Sequence, residues 1–105
     1  MDAPDASDSL MSDAEIAEAL LERPAWVRDG DTIVRSVRAP TYIDGIALVD
    51  AVAAIAEEAD HHPDITIRWR EVTFILTTHS ASGLTARDFT LAGVIDVIAD
   101  AAGDT

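Results

Sequence analysis

Between Ile46 and Ala56 the chain carries one charged residue, Asp50; every other position is Ala, Leu, Val or Ile. The run follows Pro40 and Asp44-Gly45 and reads as a helix from about Gly45 to Asp60, with Asp44 as its cap. An ordinary surface helix keeps a wide polar face. A helix that is apolar nearly all round has to be covered on two sides, so the fold needs a layer beside it. One cover is a sheet. The other is expected to be a second copy of the chain, unless the many alanines in the run simply tolerate exposure.

Sheet-forming sequence lies on both sides of that helix. Thr32 to Arg38 is rich in β-branched residues, follows the turn signal Asp29-Gly30-Asp31 and is broken by Pro40; Thr41 to Ile43 reads as its short hairpin partner. After the helix, Asp60-His61-His62-Pro63-Asp64 is a stop, because the residue before proline avoids helical angles. Ile65, Ile67 and Trp69 then alternate with Thr66, Arg68 and Arg70, as in a half-buried strand. Val72, Phe74 and Leu76 continue the alternation on a further strand, with Thr77 and Thr78 at its end and a loop over Ser80 to Leu84.

Two more helices flank these pairs. Ser12 and Glu15 have the spacing of a capping box, Ile16, Ala19 and Leu20 form a short apolar face, Pro24 stops the helix and Trp26 anchors it. Thr85 caps the last helix, which carries Phe89, Ala92, Ile95 and Ala99 on one side. The order αββαββα predicts an α+β fold: a four-stranded antiparallel sheet with three helices packed on one face. The 105 residues suit one domain over 12–105, preceded by an acidic tail over 1–11 that bears Asp2, Asp5 and Asp8.

Charge narrows the function. Twenty acidic side chains face 7 basic ones, a formal net charge of −13. There is no basic stripe to displace counterions from DNA or RNA, so no direct nucleic-acid partner is expected. An anionic membrane surface is disfavoured for the same reason. No signal-like segment opens the chain, and the longest uncharged apolar stretch, Ala51 to Ala56, is far too short to span a bilayer, so a cytoplasmic protein is expected. The chain has no cysteine and no lysine. A thiol nucleophile, a thiolate metal site and Schiff-base chemistry are thereby excluded.

The histidines remain. His61 and His62 sit where the central helix runs out, and His79 sits just past the last strand. Strand ends and loops are where reacting groups are usually held, and histidine exchanges protons near neutral pH. Glu57 lies one turn before His61, and Asp88 lies in the first turn of the last helix. Each has an ordinary reading when taken singly. Glu57 suits a solvated helix face, the paired histidines suit a helix C-terminus, and Asp88 suits a capping box with Thr85. Three histidines with a carboxylate also raise the question of a metal, but the helical His-Glu-x-x-His spacing is absent, and no metal is expected.

Together these positions resemble a known family. Glu57, three residues, His61-His62-Pro63, five residues, Trp69, nine residues, His79, eight residues and Asp88 are similar to the signature of the pterin-4a-carbinolamine dehydratases. Thr78-His79, then Gly83-Leu84-Thr85 and Asp88, resemble that family's second block. The resemblance implies a hydro-lyase that removes water from a 4a-hydroxytetrahydropterin to give a quinonoid dihydropterin, a step in tetrahydropterin recycling, with no separate cofactor. It implies His61 and His79 as acid–base residues, His62 as a pterin-orienting histidine and Asp88 as a carboxylate of the pocket. Glu57 and Asp60 would lie close by as substrate-binding groups, and Thr77 and Thr78 would meet the pterin through their backbones. It also implies homodimers or homotetramers formed through the helix 45–60 and the sheet edges. Asp64, Ile65 and Thr66 follow the His-His-Pro triplet where many relatives carry aromatic residues, which makes that wall less aromatic. A non-catalytic binding or assembly protein on the same scaffold is the alternative, although such relatives tend to have an eroded histidine motif.

Overall fold

The structure, a computed structural model, describes residues 9–102. The expected tail thus lies mostly outside the described residues. Of its last members, Met11 donates its backbone N–H to Leu84 O at 2.9 Å and packs against the core.

Helix α1 (Asp13–Leu21) starts as its spacing predicts. Ser12 Oγ accepts the Glu15 N–H at 3.1 Å, and Glu15 Oε1 accepts the Ser12 N–H at 2.8 Å. The Ser12 backbone N–H, helped by the Ser12 side chain, holds the Glu15 carboxyl below the usual carboxylate range. Strands β1 (Val27–Asp29) and β2 (Thr32–Arg38) follow, then α2 (Tyr42–Ala59), β3 (Asp64–Arg68), β4 (Glu71–Leu76) and α3 (Ala86–Ala102). The four strands form one antiparallel sheet in the order β1-β2-β4-β3. The helices cover one face of it, so the chain has the expected α+β architecture.

Three local expectations are corrected. The hairpin partner of β2 is β1, not Thr41 to Ile43. Asp29 pairs with Thr32 across Gly30-Asp31, and Gly30 takes φ 61, so the turn signal is itself the hairpin loop. Thr41 instead starts α2 three residues earlier than expected. Its Oγ1 accepts the Asp44 N–H at 3.1 Å and donates to Asp44 Oδ2 at 2.9 Å, so Thr41, not Asp44, is the cap. Trp69 is not a strand residue. Arg68 pairs with Glu71, which leaves Trp69-Arg70 as a two-residue turn with Trp69 at φ 55. Its indole is 68% exposed, with the Arg70 guanidinium 5.0 Å above the ring.

The core lies between the sheet and the helices. Ile33 and Val37 on β2 and Val72, Phe74 and Leu76 on β4 point into it, opposite Leu48, Val52 and Ala56 of α2 and Leu91, Ala92, Ile95 and Ala99 of α3. Small residues bring α2 close to the sheet: a Cβ on Gly45 would stand 3.4 Å from Ile67 Cδ1 and Val72 Cγ2. Trp26 is the buried anchor the sequence predicts, and its Nε1 donates to Asp96 Oδ1 at 2.8 Å. Arg35 also points inward, between Ile33 and Val37, and pairs with Asp96 and Asp100 of α3. Among the described residues, no helix is long and apolar enough to cross a membrane.

Candidate active site

Three chain ends meet at one edge of the molecule: the end of α2, the end of β4 and the start of α3. Helix α2 stops because Asp60 takes the left-handed conformation at φ 51, ψ 42, with its N–H on Ala56 O and Glu57 O. Aspartate tolerates that conformation better than most residues, and a left-handed residue ends a helix cleanly. The reversal sends successive histidines in opposite directions. His61 turns inward and is 8% exposed, while the side chain of His62 is 57% exposed.

This turn also decides which carboxylate meets which histidine. Glu57 is one helical turn before His61 in sequence, yet its Oε1 lies 2.7 Å from His62 Nε2. His61 pairs across the fold instead, with Nε2 2.6 Å from Asp88 Oδ1. Asp88 is fully buried. Its Oδ2 accepts the Thr85 N–H at 2.9 Å, the returning arm of a capping box, and the Thr78 hydroxyl at 2.8 Å. Asp88 therefore both caps α3 and holds a histidine.

At the end of β4, Thr78 N–H bonds Gly83 O at 3.0 Å and Gly83 N–H bonds Thr78 O at 3.3 Å, pinching the loop shut. The short 3-10 turn His79–Ala81 lies inside that pinch and carries His79 to the surface. Thr77 Oγ1 donates to Asp31 O at 2.7 Å, which ties the strand end to the β1–β2 loop.

A cavity of about 180 Å³ opens among these ends. Of the eight residues expected at the site, His61, His62, His79, Asp60, Thr77 and Thr78 line it. Glu57 and Asp88 do not reach the wall; each stands behind a histidine that does. Ser80 and Arg87 complete the lining and were missed from sequence. Arg87 gives no signal in the sequence, because it stands in the first turn of α3 and meets the end of α2 only through the fold. Its Nη2 donates to Asp60 O at 3.0 Å and Ala59 O at 3.3 Å, bridging α3 to the end of α2. Ile65 lines a separate hollow with Pro63 and His62, and none of Asp64, Ile65 and Thr66 lines the cavity at the α2, β4 and α3 ends. Among the described residues, no three histidine, aspartate or glutamate side chains converge on a point where they would hold a metal ion.

The family model described as Pterin 4 alpha carbinolamine dehydratase matches residues 9–98. The chain belongs to this family. A pterin-4-alpha-carbinolamine dehydratase homologue of Nocardia farcinica is 59% identical over 90 residues, 86% of this chain and 95% of the relative. One from Mycobacteroides abscessus is 49% identical over 88 residues, 84% and 94% of the two chains. The crystal structure of a transcriptional coactivator/pterin dehydratase from Brucella melitensis is 28% identical, with a TM-score of 0.83 over 87% of this chain and 99% of that one. A pterin dehydratase-like protein, described as a RuBisCO assembly factor in the alpha-carboxysome, shares the fold at 24% identity and a TM-score of 0.63, over 71% and 89% of the chains. For a member of the pterin 4 alpha carbinolamine dehydratase family, the cavity at the α2, β4 and α3 ends is the natural candidate active site.

Proposed function

We propose that this chain is a hydro-lyase that converts a 4a-hydroxytetrahydropterin to the quinonoid dihydropterin and water. The observation that carries the reading is the convergence of His61, His62 and His79 on one cavity, with His61 backed by a buried carboxylate. The reaction needs two proton transfers. The hydroxyl on carbon 4a leaves as water once it gains a proton, and the neighbouring ring nitrogen gives up its proton while its electrons form the new double bond. His61 and His79 take the acid and base roles, and His62, steadied by Glu57, orients the ring. Asp60, Thr77 and Thr78 border the same space.

The test is stopped-flow absorbance with freshly generated 4a-hydroxytetrahydropterin, whose slow spontaneous dehydration is the control. The protein is expected to speed the decay well above the buffer rate, with a rate that falls toward both acid and alkaline pH, because acid and base roles need opposite histidine forms. Decay at the buffer rate would favour the non-catalytic binding or assembly reading. A rate independent of pH from mildly acidic to mildly alkaline solution would remove histidine acid–base catalysis.

The working form on this reading is a homodimer or homotetramer. Tyr42 and Ile43 on α2 are 50% and 70% exposed, and Ala47, Ala51 and Ala54 leave a small-residue stripe outside the core. Sedimentation at micromolar concentration is expected to show a dimer or larger species; a strictly monomeric boundary would count against an α2 interface.

A further inference from the structure

We propose that Thr78 is a positioning residue. Its hydroxyl, itself held by Thr85, orders Asp88 as an acceptor; this keeps the His61 proton on Nε2 and leaves Nδ1 as the atom that exchanges a proton with the ligand. The identity of that ligand rests on the dehydratase reading; the order of the hydrogen bonds does not.

The order follows from counting protons. Thr78 has one hydroxyl proton, and it points at Asp88 Oδ2, 2.8 Å away. The contact between Thr78 Oγ1 and Thr85 Oγ1, also 2.8 Å, must then be donated by Thr85. Thr85 Oγ1 in turn accepts the Arg87 N–H at 3.3 Å. The chain therefore runs one way, from the Arg87 N–H through Thr85 and Thr78 to Asp88. With the Thr85 N–H also on Oδ2, two donors converge on one carboxylate oxygen. The other oxygen, Oδ1, is left to accept from His61 Nε2. An ionised carboxylate is acceptor-only, so the shared proton belongs to the imidazole on that nitrogen.

Burial makes the arrangement exacting. Thr78 is 2% exposed, and Thr85 and Asp88 are 0% exposed. Valine fills the space of threonine without its hydroxyl, so at a site this buried a missing donor is costly. The backbone N–H of Thr78 is committed to Gly83 O. What Thr78 adds beyond shaping the loop is its side chain.

The experiment combines histidine ¹⁵N spectroscopy of the ligand-free protein at alkaline pH with steady-state kinetics. Wild-type His61 is expected to give the signature of the Nε2–H tautomer alone. Thr78→Val is expected to give mixed tautomers and a kcat lower by about tenfold, at the low end for partners that orient a histidine, with KM little changed. Thr78→Ser, which keeps the hydroxyl, restores both readouts. Thr85→Val removes the donor to Thr78 and shifts both the same way by less, which carries the test if Thr78→Val does not fold. A wild-type His61 protonated on Nδ1, or a folded Thr78→Val whose tautomer is unchanged, overturns the proposal. A wild-type protein with the tautomer fixed, and lost in Thr78→Val, but without turnover overturns the dehydratase reading and leaves the positioning role standing.

Discussion

Replacing His61 with alanine is expected to lower the single-turnover dehydration rate by about 10²- to 10⁴-fold, the usual worth of positioned acid–base assistance. The loss should fall on kcat more than on KM, because His61 is 8% exposed and offers little binding surface. Asp88→Asn should approach the same loss by a different route. Its carbonyl oxygen can still accept from Thr78 and Thr85, but its amide must then present N–H to His61 Nε2. That forces the imidazole proton onto Nδ1, the nitrogen the reaction needs to control. His62→Ala should cost less and act more on KM, since both members of its pair with Glu57 face solvent, with side chains 57% and 79% exposed. Stopped-flow rates for the three variants decide the matter. A His61→Ala protein within threefold of wild type would sink the acid–base role, whatever the other two do.

The contrast between those variants is not legible in the sequence, although the candidate residues are. A fixed set of histidine and carboxylate positions points to a candidate site, and six of the eight expected residues line one cavity. Their pairing cannot be read from sequence distance, which counts along an unbroken helix. Glu57 and His61 are neighbours only if α2 continues past Ala59, and Asp60 at φ 51 breaks that geometry. The same limit explains the fold-level corrections. Alternation of apolar residues located β2 and β4 well, because burial on one face imposes it. It placed Trp69 in a strand because a two-residue turn continues the alternation without forming one. Thr41 was read as a strand residue for its β-branching, whereas its side-chain oxygen makes it a helix cap. The second role of Asp88 was hidden for a related reason: a capping box accounts for one oxygen, and only the fold reveals where the other points.

Asp96→Ala is expected to cost the fold about 3 kcal/mol, near the lower end for breaking a buried ion pair by removing one partner. Arg35 occupies a core-facing position of β2 and is only 8% exposed, and Asp96, at 20%, accepts from both Arg35 and the Trp26 indole N–H. Without that carboxylate, the guanidinium keeps Asp100 at 3.1 Å, but the Asp100 side chain is 69% exposed and screened by water. Hence Asp100→Ala should cost no more than about 1 kcal/mol. For a domain of this size, 3 kcal/mol lowers Tm by roughly 10–20 °C. The loss comes from a stranded charge and an unpaired N–H rather than from the attraction itself. Replacing both partners together, Arg35→Met with Asp96→Leu, should therefore recover the part due to the stranded charge, because an apolar pair of similar volume avoids the desolvation of two charges, while the Trp26 N–H stays unpaired. Urea unfolding of the single and double variants separates the two accounts. If Asp96→Ala stays within 1 kcal/mol of wild type, Arg35 reaches solvent easily enough to stand alone. If the double variant is no better than Asp96→Ala, the pair holds α3 against the sheet through its geometry, and its charge is not the main term.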